Sequence, residues 1–331
     1  MGNNRRVTGG PLRADHSISV VVAARDAAST IADAVGSALS SRLVVQCIVV
    51  DDASRDETRA IVERMSETDD RVQIVPRPDR GGPARARNDG LARARGDRVC
   101  FLDADDTLVA GGLEILAASM DQHPGAVAAL GRFQPVDTDG QRADVGRWED
   151  DQLLGVVRRH GRMVRDPCGL TPEALVTRLV SPPPGAWLVD AWTACAVGGF
   201  DPQARRSEDL ELLVRLAREG GVVAVDAVVL RYLRHGSQRS ASVSRRQWGR
   251  GLTLWLMMRA APGPRATCSL TRGMVANHLE MAARRTRSGD RSVQALGARN
   301  LVAAASLGCL GLVAGILPSR TLRPVVPSRG E

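Results

Sequence analysis

The first hundred residues alternate between short apolar runs and stretches with helical spacing, and this alternation limits the possible folds more than any other feature. Apolar runs of strand length lie at 18–24, 45–50, 72–75 and 98–102. Short strands that alternate with helices form βαβ units, in which the strands lie parallel and helices cover both faces of the sheet. The sequence therefore predicts an α/β fold with a mostly parallel sheet.

Helical patterns separate these strands. They lie at 29–41, 56–65 and 84–94, and a further helix at 207–218 stands between predicted strands at 127–130 and 222–229. Ser54 and Glu57 have the spacing of a capping box, which predicts that they cap the second helix. Gly198 and Gly199 predict a turn.

Acidic residues follow two of the predicted strands. Asp51 and Asp52 end the second strand, and Asp103 and Asp105 follow the apolar run 99–102. A buried, unpaired carboxylate costs several kcal/mol, so the chain leaves the sheet at these acids. Ligands of such sheets bind beyond the carboxyl ends of the strands. Two carboxylates at this spacing can hold one divalent cation, which can in turn hold a phosphate, so the pattern predicts an enzyme that acts on a nucleotide diphosphate.

Four sequence blocks over residues 16–240 resemble, in their order, the family 2 glycosyltransferases. The blocks are Val22 to Asp26, Val49 to Ser54, Gly82 to Asn88 leading to Phe101 to Asp106, and Gly198 to Asp201 followed by Ser207 to Leu210. The resemblance implies a GT-A fold for a catalytic domain at 17–240. It also implies inverting transfer of a sugar from a nucleotide-diphospho-sugar, UDP being the usual nucleotide, with Mg²⁺ or Mn²⁺ as cofactor.

The resemblance further implies which residues bind the nucleotide. Asp51 and Asp52 would accept hydrogen bonds from the base or the ribose, and Arg87 would approach the nucleotide. The family's first strand often ends Pro-x-Tyr-Asn, in which the aromatic ring can stack on the base, and here Ala23, Arg25 and Asp26 stand at the corresponding positions. The guanidinium plane of Arg25 can stack in its place, and this departure leaves the identity of the nucleotide open.

Residues for the reaction itself follow from the same resemblance. Asp105, with Asp103 as neighbour, would hold the metal ion against the diphosphate. Asp209 would be the general base that takes the proton of the acceptor hydroxyl, with Glu208 as the second candidate.

Two further residues follow the last predicted strand. His235 and Arg239 resemble family positions that close over the diphosphate. The acceptor stays open between a polysaccharide, a lipid-linked intermediate, a protein and a small metabolite.

Two other functions fit parts of the sequence. Leu102 to Thr107 resembles the Asp-x-Asp-x-Thr loop of haloacid-dehalogenase-type phosphatases, in which Asp103 would be phosphorylated and Asp105 would be the acid/base. That loop normally follows the first strand, whereas three strand–helix units precede it here, and the chain lacks the lysine that these enzymes usually need. The other alternative is a binding or scaffold protein that keeps the fold without turnover.

The charge and the cysteines bear on partners and compartment. The net charge is +8, and every Lys or Arg position is arginine. No recognised nucleic-acid motif accompanies this charge, so we expect an anionic membrane surface or substrate as partner, not nucleic acid. The six cysteines form no C-x-x-C pair, and the N-terminus lacks the apolar stretch of a signal peptide. These features predict a cytoplasmic protein without a zinc site.

The two ends of the chain differ from the middle in composition. Residues 1–16 are polar and predict a disordered tail, and 241–331 predict a basic, partly apolar helical region. The uncharged run 301–317 would be about 25 Å long as a helix, against roughly 30 Å for a hydrocarbon core. A packed helix, an interfacial helix on the inner face of the plasma membrane and a full span all stay open.

Overall fold

The computed structural model describes residues 16–143, 175, 182–204 and 208–234. Within them one sheet is formed by β1 Ile18–Ala24, β2 Val44–Asp51, β3 Val72–Pro76, β4 Arg98–Asp103, β5 Thr107–Leu108, β6 Ala126–Val136, β7 Trp187–Asp190 and β8 Gly221–Leu233. The helices of the described residues are α1 Ile31–Leu39, α2 Thr58–Thr68, α3 Pro83–Leu91, α4 Gly112–Asp121, α5 Ala191–Ala196 and α6 Glu208–Glu219, and a 3₁₀ turn covers Pro184–Ala186. These elements confirm the α/β class.

The strand order is β3-β2-β1-β4-β7-β6-β8-β5, so the sheet has two halves of different character. The first four strands in this order are all parallel, as the βαβ pattern predicts. β7 then lies antiparallel to both β4 and β6, and β5 is antiparallel to β8, while β6 and β8 are parallel. The sheet is therefore mixed, and its parallel half places the ends of β1, β2 and β4 at one edge.

The core is centred on β1 and β4. Val20, Val21 and Val22 of β1 have no exposed surface, and neither do Phe101 and Leu102 of β4. Runs that are apolar at every position are typical of strands covered on both faces. Helix α3 lies so close to this core that a Cβ at Gly90 would overlap the side chain of Val21.

The capping-box prediction is wrong. Helix α2 begins at Thr58, and its N-cap residue Glu57 makes no side-chain capping hydrogen bond. The Ser54 hydroxyl instead accepts a hydrogen bond from the backbone N–H of Asp26 at 3.0 Å. Asp26 has a φ of 47°, which turns the chain after β1 and brings its N–H to Ser54. Ser54 thus joins two loops at the edge of the sheet.

Candidate active site

The carboxyl ends of β1, β2 and β4 form the floor of the candidate site. β1 lies between the other two, and Asp51 of β2 is in register with Ala24 while Asp103 of β4 is in register with Ala23. The two predicted acid pairs therefore lie on either side of the end of β1. This is the edge at which sheets of this kind bind their ligands.

Asp52 supports the loop that leads into α3. Its two carboxylate oxygens accept hydrogen bonds from the backbone N–H groups of Gly81 and Gly82, at 2.6 and 2.8 Å. Arg77 Nε lies 3.1 Å from the same carboxylate, and Arg77 also pairs with Asp89. Sequence reasoning missed Arg77, which carries no motif signal. Gly82 has a φ of 84°, so this loop needs a glycine where it enters the helix.

Asp51 and Arg25 are tied to the loops that follow β2. The Asp51 carboxylate is buried and accepts a hydrogen bond from the backbone N–H of Ser54 at 3.1 Å. Arg25 Nη1 donates to the backbone carbonyl of Asp52 at 3.3 Å, and its Nε lies 3.3 Å from Asp26. Ala53 has a φ of 59°, a conformation that costs energy for a residue other than glycine and is frequent at functional sites.

Arg87 lies between two groups of acids. Its side chain on α3 is buried and pairs with Asp103, and its Nη1 lies 3.9 Å from Glu208 Oε1. The guanidinium carbon is also 5.2 Å from the centre of the Phe200 ring, within range of a cation–π contact. Burial disfavours the charged form, but the charges of Asp103 and Glu208 outweigh it and raise the pKa of Arg87 above its usual value. Arg87 therefore stays charged.

Three carboxylates cluster after β4. Asp103, Asp105 and Asp106 each offer an oxygen, and these atoms lie within 4.8 Å of one another. Asp106 is 1% exposed, and its Oδ1 accepts a hydrogen bond from the backbone N–H of Leu233 at 3.0 Å. Burial, followed by the charges of Asp105 and Asp103, raises the pKa of Asp106 well above its usual range. Carboxylate oxygens of this number and spacing fit a hard divalent cation.

The acids predicted for proton transfer begin α6. Glu208 is buried and faces Arg87, whereas Asp209 is half-buried. Asp209 Oδ1 accepts a hydrogen bond from the backbone N–H of Leu210 at 2.8 Å. The charge of Asp209 also acts on Arg87. Arg87 is thus the residue through which the acids of β4 and of α6 come together.

The turn before α6 is fastened by side chains from two helices. Asn88 of α3 donates to the carbonyl of Phe200 and accepts from its N–H, both at 2.8 Å. Arg215 of α6, which pairs with Glu211, donates to the carbonyls of Val197 and Gly199. These contacts fix the position of α6 relative to α3, and sequence reasoning missed Arg215 because its partners are backbone atoms.

The structure thus brings most of the predicted site residues to one edge of the sheet. They are Ala23, Arg25, Asp51, Asp52, Arg87, Asp103, Asp105, Glu208 and Asp209. His235 and Arg239 lie outside the described residues, as does the run 301–317. Among the helices that the structure does describe, each is too short or too polar to cross a membrane.

Comparison with known proteins finds a family match over the first half of the chain. Residues 19–168 match the model of glycosyl transferase family 2. The succinoglycan biosynthesis protein ExoO of Rhizobium meliloti is 37% identical over 125 residues, which are 38% of this chain and 35% of that protein. A Bacillus subtilis protein named "Putative teichuronic acid biosynthesis glycosyltransferase TuaG" is 40% identical over 90 residues, which are 27% of this chain and 36% of that protein. The matched segment thus spans about a third of these relatives.

Solved structures agree on the fold. TarS residues 1–349 of S. aureus superimpose with a TM-score of 0.63 at 15% identity, over 91% of this chain and 88% of that one. The mannosyltransferase PcManGT of Pyrobaculum calidifontis, in complex with GDP-Man and Mn²⁺, gives a TM-score of 0.56 at 16% identity, over 94% and 89%. The fold is that of the GT-A glycosyltransferases, and residues 19–168 match glycosyl transferase family 2. The phosphatase and scaffold alternatives are not favoured.

Proposed function

We propose that the protein transfers a sugar from a nucleotide-diphospho-sugar to an acceptor hydroxyl, with inversion at the anomeric carbon and with the help of a divalent cation. The observation that carries this proposal is the position of Arg87, which pairs with Asp103 and lies 3.9 Å from Glu208. The acids suited to a metal–diphosphate complex and the acids suited to proton transfer therefore belong to one site. A site for group transfer needs both.

Asp103 and Asp105 are the residues that would hold Mg²⁺ or Mn²⁺. One oxygen of each lies within 4.8 Å of the other and of an Asp106 oxygen, and carboxylates are the ligands that these ions prefer. When bound, the ion would neutralise the charge of the departing nucleoside diphosphate. Arg87 pairs with Asp103, whose side chain keeps 32% exposure.

Asp209 is the proposed general base. It is half-buried at the start of α6, so its carboxylate can meet an acceptor hydroxyl, whereas the neighbouring Glu208 is buried against Arg87. Asp209 would take the proton as the hydroxyl oxygen attacks the anomeric carbon from the face opposite the leaving group. Such help is typically worth about 10²–10⁴ in rate. Glu208 is the second candidate for this role.

A UDP-sugar is the proposed donor. TarS has been solved in complex with UDP and with UDP-GlcNAc, and this fold resembles it with TM-scores of 0.52 and 0.53. Asp51 and Arg25 border the end of β1 and would contact the base or ribose, while Asp52 would act by holding the Gly81–Gly82 loop. His235 and Arg239 would close over the diphosphate, as the family resemblance implies. PcManGT with GDP-Man makes a GDP-sugar the second choice.

A glycan of the cell envelope is the proposed acceptor. Relatives are named for succinoglycan and teichuronic acid biosynthesis, and a Campylobacter jejuni relative, 38% identical over 73 residues, is named as a glucosyltransferase acting on an undecaprenol-linked glycan. A lipid-linked acceptor would place the protein in the cytoplasm at the inner membrane face, with the basic region 241–331 against the lipid. Flotation of the full chain with anionic vesicles, but not with neutral ones, would support this placement. A chain that floats with neither kind of vesicle would refute it.

A donor panel tests the proposed reaction. Purified protein is incubated with UDP- and GDP-sugars in Mn²⁺ or in EDTA, and release of the nucleoside diphosphate is measured. We expect hydrolysis of one donor class only with Mn²⁺, its loss in Asp105→Asn, and no change in Asp70→Asn, which alters an exposed acid before β3 at the opposite edge of the sheet. Release that is equal in EDTA, or that survives Asp105→Asn, would contradict the proposal.

A further inference from the structure

Asp106 is a buried carboxylate to which neither the sequence pattern nor the proposed reaction gives a role. It lies between Asp105 and the short strand β5, and its Oδ1 accepts the backbone N–H of Leu233, the last residue of β8. This bond continues the antiparallel pairing of β5 and β8, in which Thr107 is opposite Arg231. One oxygen of Asp106 therefore has a structural task.

The second carboxylate oxygen of Asp106 has no such structural task. Asp106 Oδ2 is buried and makes no hydrogen bond in the part of the chain that the structure describes. A buried polar atom in this state costs about 1–3 kcal/mol, and a charged one costs more. Native proteins seldom keep such an atom unless something that binds at the site satisfies it.

The surroundings of Asp106 add to this cost. Oxygens of Asp103 and Asp105 lie within 4.8 Å of the Asp106 oxygen in the cluster, and carboxylates at that separation repel one another. Arg87 is the cation whose charge acts on Asp106, but its guanidinium is already paired with Asp103. The charge of Arg87 is therefore shared between Asp103 and Asp106.

We propose that Asp106 is the third carboxylate of the cation site, holding the ion directly or through one of its waters while Leu233 fixes its orientation. This inference rests on the proposed metal-dependent function and adds a residue outside the Asp-x-Asp pair. A divalent ion would satisfy the second oxygen and offset the repulsion among three acids. It would also join the loop after β4 to the end of β8.

Two substitutions separate this role from a merely structural one. Asp106→Asn keeps an oxygen that can accept the Leu233 N–H but removes the negative charge, whereas Asp106→Ala removes both. If Asp106 only anchors β8, Asn replaces it and Ala does not. If it holds the cation, both variants lose metal affinity.

The test is Mn²⁺ titration of the full chain, followed by the electron paramagnetic resonance signal of free Mn²⁺, with and without UDP. Loss of a residue that supports a metal ligand usually costs about 10- to 100-fold in affinity, and we expect a loss of this size in Asp106→Asn. Asp70→Asn, which removes one exposed charge elsewhere, should match the parent. Without metal, Asp106→Asn should melt close to the parent temperature, because the amide keeps the oxygen that accepts the Leu233 N–H.

The outcomes distinguish the inference from the function on which it rests. Parent-like Mn²⁺ affinity in Asp106→Asn, with loss in Asp105→Asn, would overturn the role of Asp106 alone. Equal and negligible Mn²⁺ binding by the parent and Asp105→Asn would overturn the metal site as a whole. A clearly lower melting temperature of metal-free Asp106→Asn than of the parent would show that Asp106 acts through the fold, which also contradicts the proposal.

Discussion

At the scale of single residues, the site depends on a buried arginine. Arg87 is 5% exposed, pairs with Asp103, lies 3.9 Å from Glu208 and faces the Phe200 ring. The planar guanidinium can serve all three at once, which a lysine ammonium cannot. The sequence could predict that Arg87 belongs to the site, because it lies in one of the four blocks that resemble the family. It could not predict that Arg87 meets Glu208, which lies 121 positions further along the chain.

The contribution of the Arg87 charge to the fold can be tested by measuring the stability of a variant. Removing one partner of a buried ion pair leaves the other uncompensated and costs about 3–5 kcal/mol. Since Asp103 keeps 32% side-chain exposure, we expect the lower end of that range for Arg87→Met, measured as the free energy of unfolding in urea. Arg85→Met is the matched control, because Arg85 is exposed on the same helix. Equal stability of the two variants would contradict the assigned role.

At the scale of secondary structure elements, helix α6, which carries the proposed base, is positioned by the turn before it. Asn88 holds Phe200 through both of its backbone groups, and Phe200 packs edge-on against Phe101 of β4 with ring centres 4.8 Å apart. Gly199 has a φ of 66°, and a Cβ there would overlap Asn88. The turn therefore links α3, β4 and α6 into one unit.

This link predicts a selective loss of turnover. In Asn88→Asp the carboxylate can accept the Phe200 N–H but cannot donate to the Phe200 carbonyl, which leaves a buried acceptor unpaired at about 1–3 kcal/mol. We expect a lower kcat for transfer with little change in the KM for donor, because α6 carries the proposed base and not the proposed donor site. Gln141→Glu makes the same amide-to-acid change at an exposed position and should behave as the parent. A rise in donor KM alone would count against this link.

Elements with a strong apolar pattern could be predicted from the sequence, and those held by long-range pairing could not. β1 spans the predicted residues 18–24, and β4 extends the prediction by one residue to Asp103. β5 has two residues and β7 has four, and both lie antiparallel to strands that are distant along the chain. The α4 helix Gly112–Asp121 was also missed, as it has no Ser, Thr, Asp or Asn at its N-cap.

At the scale of the whole molecule, the sheet combines a parallel half, which carries the proposed donor site, with a second half of mixed strand directions. The acids of β2 and β4 meet at the edge of the parallel half, which follows from strand order alone. Helix α6 reaches that edge only because the chain between β7 and β8 returns to it. That the acids of β2 and β4 lie together could therefore be predicted from the sequence, whereas the partners of α6 needed the tertiary structure.

The described core makes a prediction about cysteine reactivity. Burial raises the pKa of Cys47 in β2 and of Cys100 in β4 to about 12, whereas Cys195 of α5 is exposed. The thiolate is the reactive form, so at a pH of about 8 a neutral buried thiol is protected. Iodoacetamide labelling followed by peptide mass spectrometry should modify Cys195 first and reach the other two only in urea. Labelling of Cys100 at the rate of Cys195 in native protein would contradict the packing of β4.

The most direct test of a single transfer site is Asp209→Asn, compared with Glu219→Gln at the exposed far end of the same helix. Donor binding is measured by calorimetry in Mn²⁺, and sugar transfer is measured with an acceptor found for the parent. We predict that Asp209→Asn binds the donor with parent affinity and loses about 10²–10⁴ in transfer rate, while Glu219→Gln keeps both. Transfer by Asp209→Asn at the parent rate would contradict the assignment of the base. It would also contradict the proposal that the acids after β4 and at the start of α6 form one site.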